Sequence, residues 1–320
     1  MWACGVLRNK FLLYIGFHDP HRCGHSHPEY GAFCEKFGNG GAGMGKIEDW
    51  KPRYFNPDQI KVPYFIPDTP AARADLAAQY TVADRIDKIL REFAQRNLLE
   101  NTLVIYTSDN GIPFPSGRTN LYDPGMKVPL IVSAPRQYPQ SLAYHSKAPV
   151  SLLDIVPTVL DWYGISYPTY SIFHKSGPVK LTGQSLLPIL TRPVDRSWNQ
   201  RLIFSSHSLH EITMYYPMRV VRSRRYKVIH NLNHQAPFPI DQDFYLSPTF
   251  QDILNRTEHG QTTHWNKNLT GYYYRPEWEF YSIARDPHEL INLARNPKYQ
   301  RTFQRLKMKL RHWMNITADP

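Results

Sequence analysis

Two short apolar runs, KFLLYIGFHDPH at 10–21 and LVIYTSDNG at 103–111, each end abruptly in histidine, aspartate or asparagine. Apolar runs of about 4–8 residues rich in aromatic and β-branched types read as buried strands, and α/β folds gather ligands just beyond the carboxyl ends of their strands. A chain patterned this way presents its chemistry at the end of a sheet. The run at 10–17 is therefore expected to be a strand, with His18, Asp19 and His21 just past its end.

The intervening pattern supports layers of helix and strand. Arg22–Pro67 is rich in Gly, Pro, His and aromatic residues and too long for a mere connector, and such segments usually serve function. Thr69 and Pro70 supply a cap and a favoured first helical residue, and Leu76, Tyr80, Ala83, Ile86, Ile89, Leu90 and Phe93 fall at helical spacing. This predicts one long amphipathic helix over Ala71–Leu99, followed by strands at Leu103–Tyr106 and Val128–Ser133, an α/β arrangement. Val150–Tyr163 is again helical, with Pro157 bending or bounding it.

The Pro/Gly-rich stretch Gly164–Gly183 marks a change, and the chain is expected to divide into 1–183 and a smaller part, 184–320. Short strands at Leu202–Ser205, Met218–Arg222 and Tyr226–His230, with a turn at Ser223-Arg224, predict an antiparallel α+β subdomain. Asp286-Pro287 offers a helix cap, and Tyr299–Trp313 reads as the final helix.

A formal charge of +11 at pH 7 favours polyanionic partners, either nucleic acid or sulfated polysaccharide. Basic residues concentrate locally in RVVRSRRYK at 219–227 and RTFQRLKMKLR at 301–311, but no finger, RNP motif or Gly-Lys phosphate loop accompanies them, which disfavours nucleic acid. No run is long enough to span a membrane. The opening residues, MWACGVLRNKFLLYIGF, have a basic and then an apolar part, yet the apolar part is short, lacks a small-residue cleavage site and runs directly into HDPH, unlike a signal peptide.

Cys23 and Cys34 lie in one loop-like stretch, compatible with a disulfide, with no bond, or with zinc given the nearby histidines. The C-x10-C spacing is not that of a zinc site, and the disulfide is the preferred reading. Sequons at Asn255, Asn268 and Asn315 fit the secretory route.

Asp109 and Asn110 place a carboxylate and an amide oxygen side by side, as hard cations such as calcium or magnesium prefer, although Asp-Asn-Gly is also ordinary turn chemistry. His21 follows a stiffening proline and can donate to an anionic oxygen or protonate a leaving group, and Asp19 can orient its ring. Arg118, on a glycine-containing loop, offers a planar fork to a sulfate or phosphate edge.

Six ordered segments carry a resemblance to a known family: FHDPHRCGHS at 17–26, VPYF at 62–65, TPAARADLAAQYT at 69–81, TSDNGIPFPSGRTNLY at 107–122, PFPIDQDFY at 237–245 and WEFYSIARDPHELINLA at 278–294. The chain resembles the sulfatase family, in the alkaline-phosphatase-like superfamily, and its sulfamidase branch in particular. That resemblance implies a mixed sheet sandwiched by helices with a smaller antiparallel subdomain. It further implies a lysosomal, homodimeric hydrolase that removes N-sulfate from glucosamine in heparan sulfate degradation.

By the same resemblance Asp109 and Asn110 match calcium ligands, while His21 rather than His18 is the active-site histidine. Arg118 contacts the sulfate, and Asp19 is a weaker substrate contact. The family's nucleophile is a formylglycine made from cysteine in a C-x-P-S-R motif, and an Asp-Asp pair completes its metal site. Neither occurs here: Cys4-Gly-Val-Leu-Arg8 lacks the Pro and Ser, and the sequence has no Asp-Asp pair. The family's amino-terminal third is not matched, so these 320 residues are expected to be a fragment or truncated form that is inactive alone. A heparan-binding pseudoenzyme and a phosphate-ester hydrolase of the same superfamily are the alternatives.

Overall fold

The computed structural model describes residues 11–17, 20–22, 54–83, 86–135, 145–168, 170–171, 178–191, 196–210 and 214–319. In chain order these form helices α1 (Pro70–Ala83) and α2 (Ile86–Gln95), strand β1 (Val104–Thr107), the short helix α3 (Asp123–Met126) and strand β2 (Leu130–Ser133). Helices α4 (Ile155–Tyr163), α5 (Leu187–Thr191) and α6 (Arg196–Gln200) lead to strands β3 (Ile203–Leu209), β4 (Tyr215–Arg222) and β5 (Lys227–Asn231). Helices α7 (Gln242–Tyr245), α8 (Pro248–Glu258) and α9 (Leu269–Tyr273), strand β6 (Trp278–Tyr281) and helix α10 (Gln300–Ile316) complete the chain. Strands β1 and β2 pair antiparallel, and β3, β4, β5 and β6 form a four-stranded antiparallel sheet in that order.

Strand β4 is covered on both faces, which is why its sequence is apolar without a clean alternation. Tyr216, Met218 and Val220 join Ile229 and Tyr281 in a cluster with Leu121, Tyr122, Phe238 and Tyr272. On the opposite face Val221, Val228 and Phe280 pack on Phe303, Leu306 and Leu310 of α10. Each such side chain removed from water contributes about 1.5–3 kcal/mol, so the sheet is a rigid support for what rests on its first face. The loop between β1 and β2 rests there, through Leu121 and Tyr122.

Buried charge fastens that loop. Lys227, fully buried, lies 2.7 Å from Asp123 and 2.6 Å from Glu289 and donates to the Leu121 carbonyl at 3.1 Å. Arg222 adds two hydrogen bonds to Asp123 at 3.0 and 2.8 Å, and Glu289 accepts from the Asp123 backbone N–H. Burial opposes ionisation of Asp123, but Lys227 and Arg222 together hold its carboxyl well below the usual range. Burial, only partly offset by Lys227, raises Glu289.

Several elements differ from the sequence expectation. Residues 11–17 form no strand and are exposed, Tyr14 at 89%, because no neighbouring strand among the described residues offers them a ladder. Their contacts include Phe11 against Phe93 and the Phe11 carbonyl, which accepts from the Tyr163 hydroxyl. The helix expected over Ala71–Leu99 appears as α1 and α2 and ends at Gln95, where Asn97 takes a left-handed φ of 55° that stops it. Of the two roles expected for Pro157 it takes the bounding one: it sits in the first turn of α4, where its missing N–H costs no intrahelical bond. Asp286 caps no helix, and instead accepts from the backbone N–H groups of Leu290 and Ile291 in a loop. Among the described residues no helix is long and apolar enough to cross a membrane.

Removing one partner of a buried ion pair costs about 3–5 kcal/mol. Lys227→Met is therefore expected to lower the unfolding free energy by that order, read as a lower denaturant midpoint, whereas Arg96→Ala, which breaks the exposed Arg96–Glu92 pair, leaves the midpoint nearly unchanged. Equal midpoints for Lys227→Met and the parent would contradict the assignment.

Candidate functional site

Strand β1 ends at Thr107, and the chain then folds tightly through Asp109, Asn110 and Gly111. A Cβ on Gly111 would stand 1.9 Å from the Pro124 carbonyl oxygen, and one on Gly117 2.1 Å from that of Ile112, so both glycines are required by close backbone approach. The Gly111 N–H donates to Gly125 O and the Arg118 N–H to Ile112 O, each at 3.0 Å, closing the loop on itself. The Asp109 carboxylate accepts from the Asn110 backbone N–H at 2.9 Å, which fixes the Asp109 side chain against the turn.

His21 reaches this loop through its neighbour. The Arg22 side chain is fully buried and makes a bidentate pair with Asp75 of α1 at 2.8 and 2.9 Å. Its Nε donates to the Pro113 carbonyl at 2.8 Å, and its guanidinium covers the Phe114 ring at 4.7 Å. Asp75 also accepts from Thr249 of α8 at 2.5 Å. One buried arginine thus joins the HDPH segment, the loop of Asp109 and Arg118, and two helices. The Nδ1–H of His21 donates to the Arg22 carbonyl at 2.6 Å, since a carbonyl can only accept.

Arg118 lies in a polar cluster assembled from three segments. Its NH2 donates to His210 Nε2 at 2.7 Å, and its NH1 lies 3.5 Å from Asp241 and 3.6 Å from Asp243. An arginine can only donate, so His210 Nε2 accepts in this contact, and the same Nε2 lies 3.3 Å from Asp241. Asp241 is nearly buried and caps α7, accepting from the Asp243 N–H at 2.8 Å. Buried Asn120 supports the loop from beneath: its amide donates to the Arg118 carbonyl at 3.1 Å, and its oxygen accepts from Arg275 at 2.7 Å. The arrangement holds a planar cation in one orientation at the rim of the site.

The structure thus brings the Asp109–Asn110 pair and Arg118 onto one loop and ties the His21 segment to it. Asp19, Cys23 and Cys34 lie outside the described residues. Asn255, Asn268 and Asn315 are exposed, and the Asn268 side-chain oxygen caps α9 through the Gly271 N–H at 2.7 Å. Calcium takes about 6–8 oxygen ligands. Asp109 and Asn110 supply two donors, and among the described residues no group of three or more His, Cys, Asp or Glu is placed to hold an ion. The residues present do not complete a calcium site.

The family model described as Sulfatase matches residues 5–165, half of the chain. The chain belongs to the sulfatase family. A second family model, described as N-sulphoglucosamine sulphohydrolase, C-terminal, matches residues 117–243. The chain is 56% identical over 314 residues to N-sulphoglucosamine sulphohydrolase of Homo sapiens, an alignment covering 97% of this chain and 61% of that protein. It is 26% identical over 281 residues to an ulvan-active sulfatase of Formosa agariphila, with 84% of this chain and 43% of that protein covered. The chain therefore spans only part of the relatives it matches. Among solved structures, a 2-O GAG sulfatase superposes with a TM-score of 0.54 at 20% identity, over 78% of this chain and 44% of the other. A protein in complex with its substrate, D-glucosamine-2-N,6-O-disulfate, gives 0.52 at 19% identity, over 78% and 42%. At such identities the likeness shows the shared α/β sulfatase fold.

Sequence reasoning missed Arg22, Asp75, His210, Asp241 and Asp243. The arginine directly after HDPH and the two acids of IDQD were visible signals, whereas His210 becomes a partner of Arg118 only through the fold.

His207 on β3 is pushed down to about 4, first by burial and then by the charges of His210, Arg275 and Arg219. An unfolded-chain histidine titrates near 6.5, so as pH falls the unfolded state takes up the proton first. The stability held in neutral His207 is complete above about pH 6.5 and is lost as pH falls toward 4. His207→Gln is expected to flatten this part of the pH–stability curve, read from denaturant midpoints at about pH 7 and 4.5. A slope identical to that of the parent would contradict the assignment.

Proposed function

We propose that this chain contributes to a sulfamidase-like sulfatase that hydrolyses the N-sulfate of glucosamine in heparan-type saccharides. The observation that carries the reading is the 56% identity to a sulfamidase through the segments that Arg22 fastens together. Lysosomal residence, N-glycosylation, a Cys23–Cys34 disulfide and homodimeric assembly belong to the same proposal.

In this reading Arg118 donates to the sulfate oxygens, oriented by His210 and Asp241, and stabilises the charge that develops as the nitrogen–sulfur bond lengthens. His21, with Nδ1 held by the Arg22 carbonyl, passes a proton from Nε2 to the departing amine. Asp109 and Asn110 would supply two of the several oxygen ligands that a calcium ion needs in the protein at its full natural length, where the ion would provide charge against the sulfate. Further ligands and the formylglycine nucleophile are needed, and the 320 residues contain neither a C-x-P-S-R motif nor an Asp-Asp pair. These residues by themselves are accordingly proposed to be inactive.

The test is turnover of glucosamine N-sulfate, a sulfate ester and a phosphate ester by the protein at its full natural length. The expected order places the sulfamate first, with Arg118→Ala lowering kcat/KM on it by about 10²–10³. Preference for the phosphate ester would overturn the reading, and sulfamate turnover by residues 1–320 alone would overturn the inactivity.

A further inference from the structure

The far end of the four-stranded sheet carries a basic groove that the proposed reaction does not use. The β4–β5 turn, closed by the Ser223 N–H donating to the Tyr226 carbonyl at 2.8 Å, meets the end of α6 and one side of α10. Together they border an open groove of about 640 Å³ lined by Arg224, Arg225, Arg305 and Lys309, with Asn199 at its wall and Leu202 among its apolar surfaces. The four cations come from two sequence-distant segments, the same two in which basic residues concentrate along the chain.

These charges are not neutralised from within. All four side chains are exposed, and none forms an ion pair among the described residues. Arg224 donates to the neutral Asn199 oxygen at 2.8 Å, a contact that steadies it without discharging it. Helix α10 contains no acid between Gln300 and Ile316. A helix face that is merely solvated usually interleaves both signs, and like charges lining a concavity add their potentials there.

The groove is far from Arg118. Ile203 pairs with Arg222 at the groove end of the sheet, while His210 follows the other end of β3, roughly 20 Å away along the strand. A ligand that occupies both this groove and the site of Arg118 has to be long as well as anionic. The ring of Tyr226 packs against Phe280 and Tyr299, so the groove's aromatic side chain is engaged in the core rather than offered for base stacking, which argues against single-stranded nucleic acid.

We propose that Arg224, Arg225, Arg305 and Lys309 form a second binding site for a sulfated polysaccharide, holding the chain by its sulfate and carboxylate groups at a distance from the reacting end. The choice of polysaccharide as the polyanion rests on the sulfamidase-like reading; the site itself rests on the groove and its unpaired cations.

The test uses the full-length protein and a variant combining R224Q, R225Q, R305Q and K309Q, with heparin oligosaccharides as probe over a series of salt concentrations. The side chains are exposed, so the variant is expected to keep the parent denaturant midpoint. Heparin affinity should fall at least tenfold and lose most of its salt dependence, KM for a sulfated oligosaccharide should rise, and turnover of monosaccharide glucosamine N-sulfate should stay at the parent level. Unchanged heparin affinity in the variant would overturn the proposal, as would single-stranded DNA binding the parent as tightly as heparin through the same four residues. Binding is read without turnover, so a parent protein that fails to hydrolyse sulfamate sinks the catalytic reading and leaves the groove to be decided by the heparin result.

Discussion

A buried ammonium between two carboxylates is the fastening on which the candidate site depends. Lys227 stands on β5, in the middle of the antiparallel sheet, and its partners Asp123 and Glu289 come from α3 and from a late loop. Burying three charges is costly, and the arrangement persists because Arg222 and the Asp123 backbone N–H satisfy the remaining oxygens. Through Asp123 the network holds the end of the loop that begins at Asp109, so the chemistry at one end is aligned by charge at the other.

A second fastening works the opposite side of the same loop. Arg22 binds Asp75, Pro113 and the face of Phe114 at once, and Thr249 completes the Asp75 oxygens. The two anchors share no residue, yet both clamp the stretch between Asn110 and Asp123. A loop with little regular structure can carry precise chemistry when its ends and its middle are each tied to rigid elements. The sulfatase fold uses its helices and its antiparallel sheet for this purpose here.

Much of this was legible in the sequence. The strands expected at Leu202–Ser205, Met218–Arg222 and Tyr226–His230 from their apolar runs overlap β3, β4 and β5, and the final helix expected at Tyr299–Trp313 overlaps α10. The Asp109–Arg118 loop announced itself by polar residues and glycines directly after a strand. The segment at 11–17 was misread because apolar composition gives a strand only where another strand supplies hydrogen bonds. The partners of Arg118 and Lys227 were hidden for a different reason: His210 and Asp241 lie 92 and 123 positions from Arg118, Glu289 lies 62 from Lys227, and only the fold brings them in.

The account's central claim is that buried charge on the sheet orders the loop that bears Asp109, Asn110 and Arg118. Hydrogen exchange of the backbone amides of Gly111, Gly117, Arg118 and Asn120 tests it most directly, comparing the full-length protein with its Asp123→Asn variant. The expected result is exchange in these amides faster by about 10²-fold, the effect of losing roughly 2–3 kcal/mol of local stability, while the amides of α4 exchange as before. Loop amides that exchange at the parent rate in the variant would show that the loop stands without the charge network, and would contradict the claim.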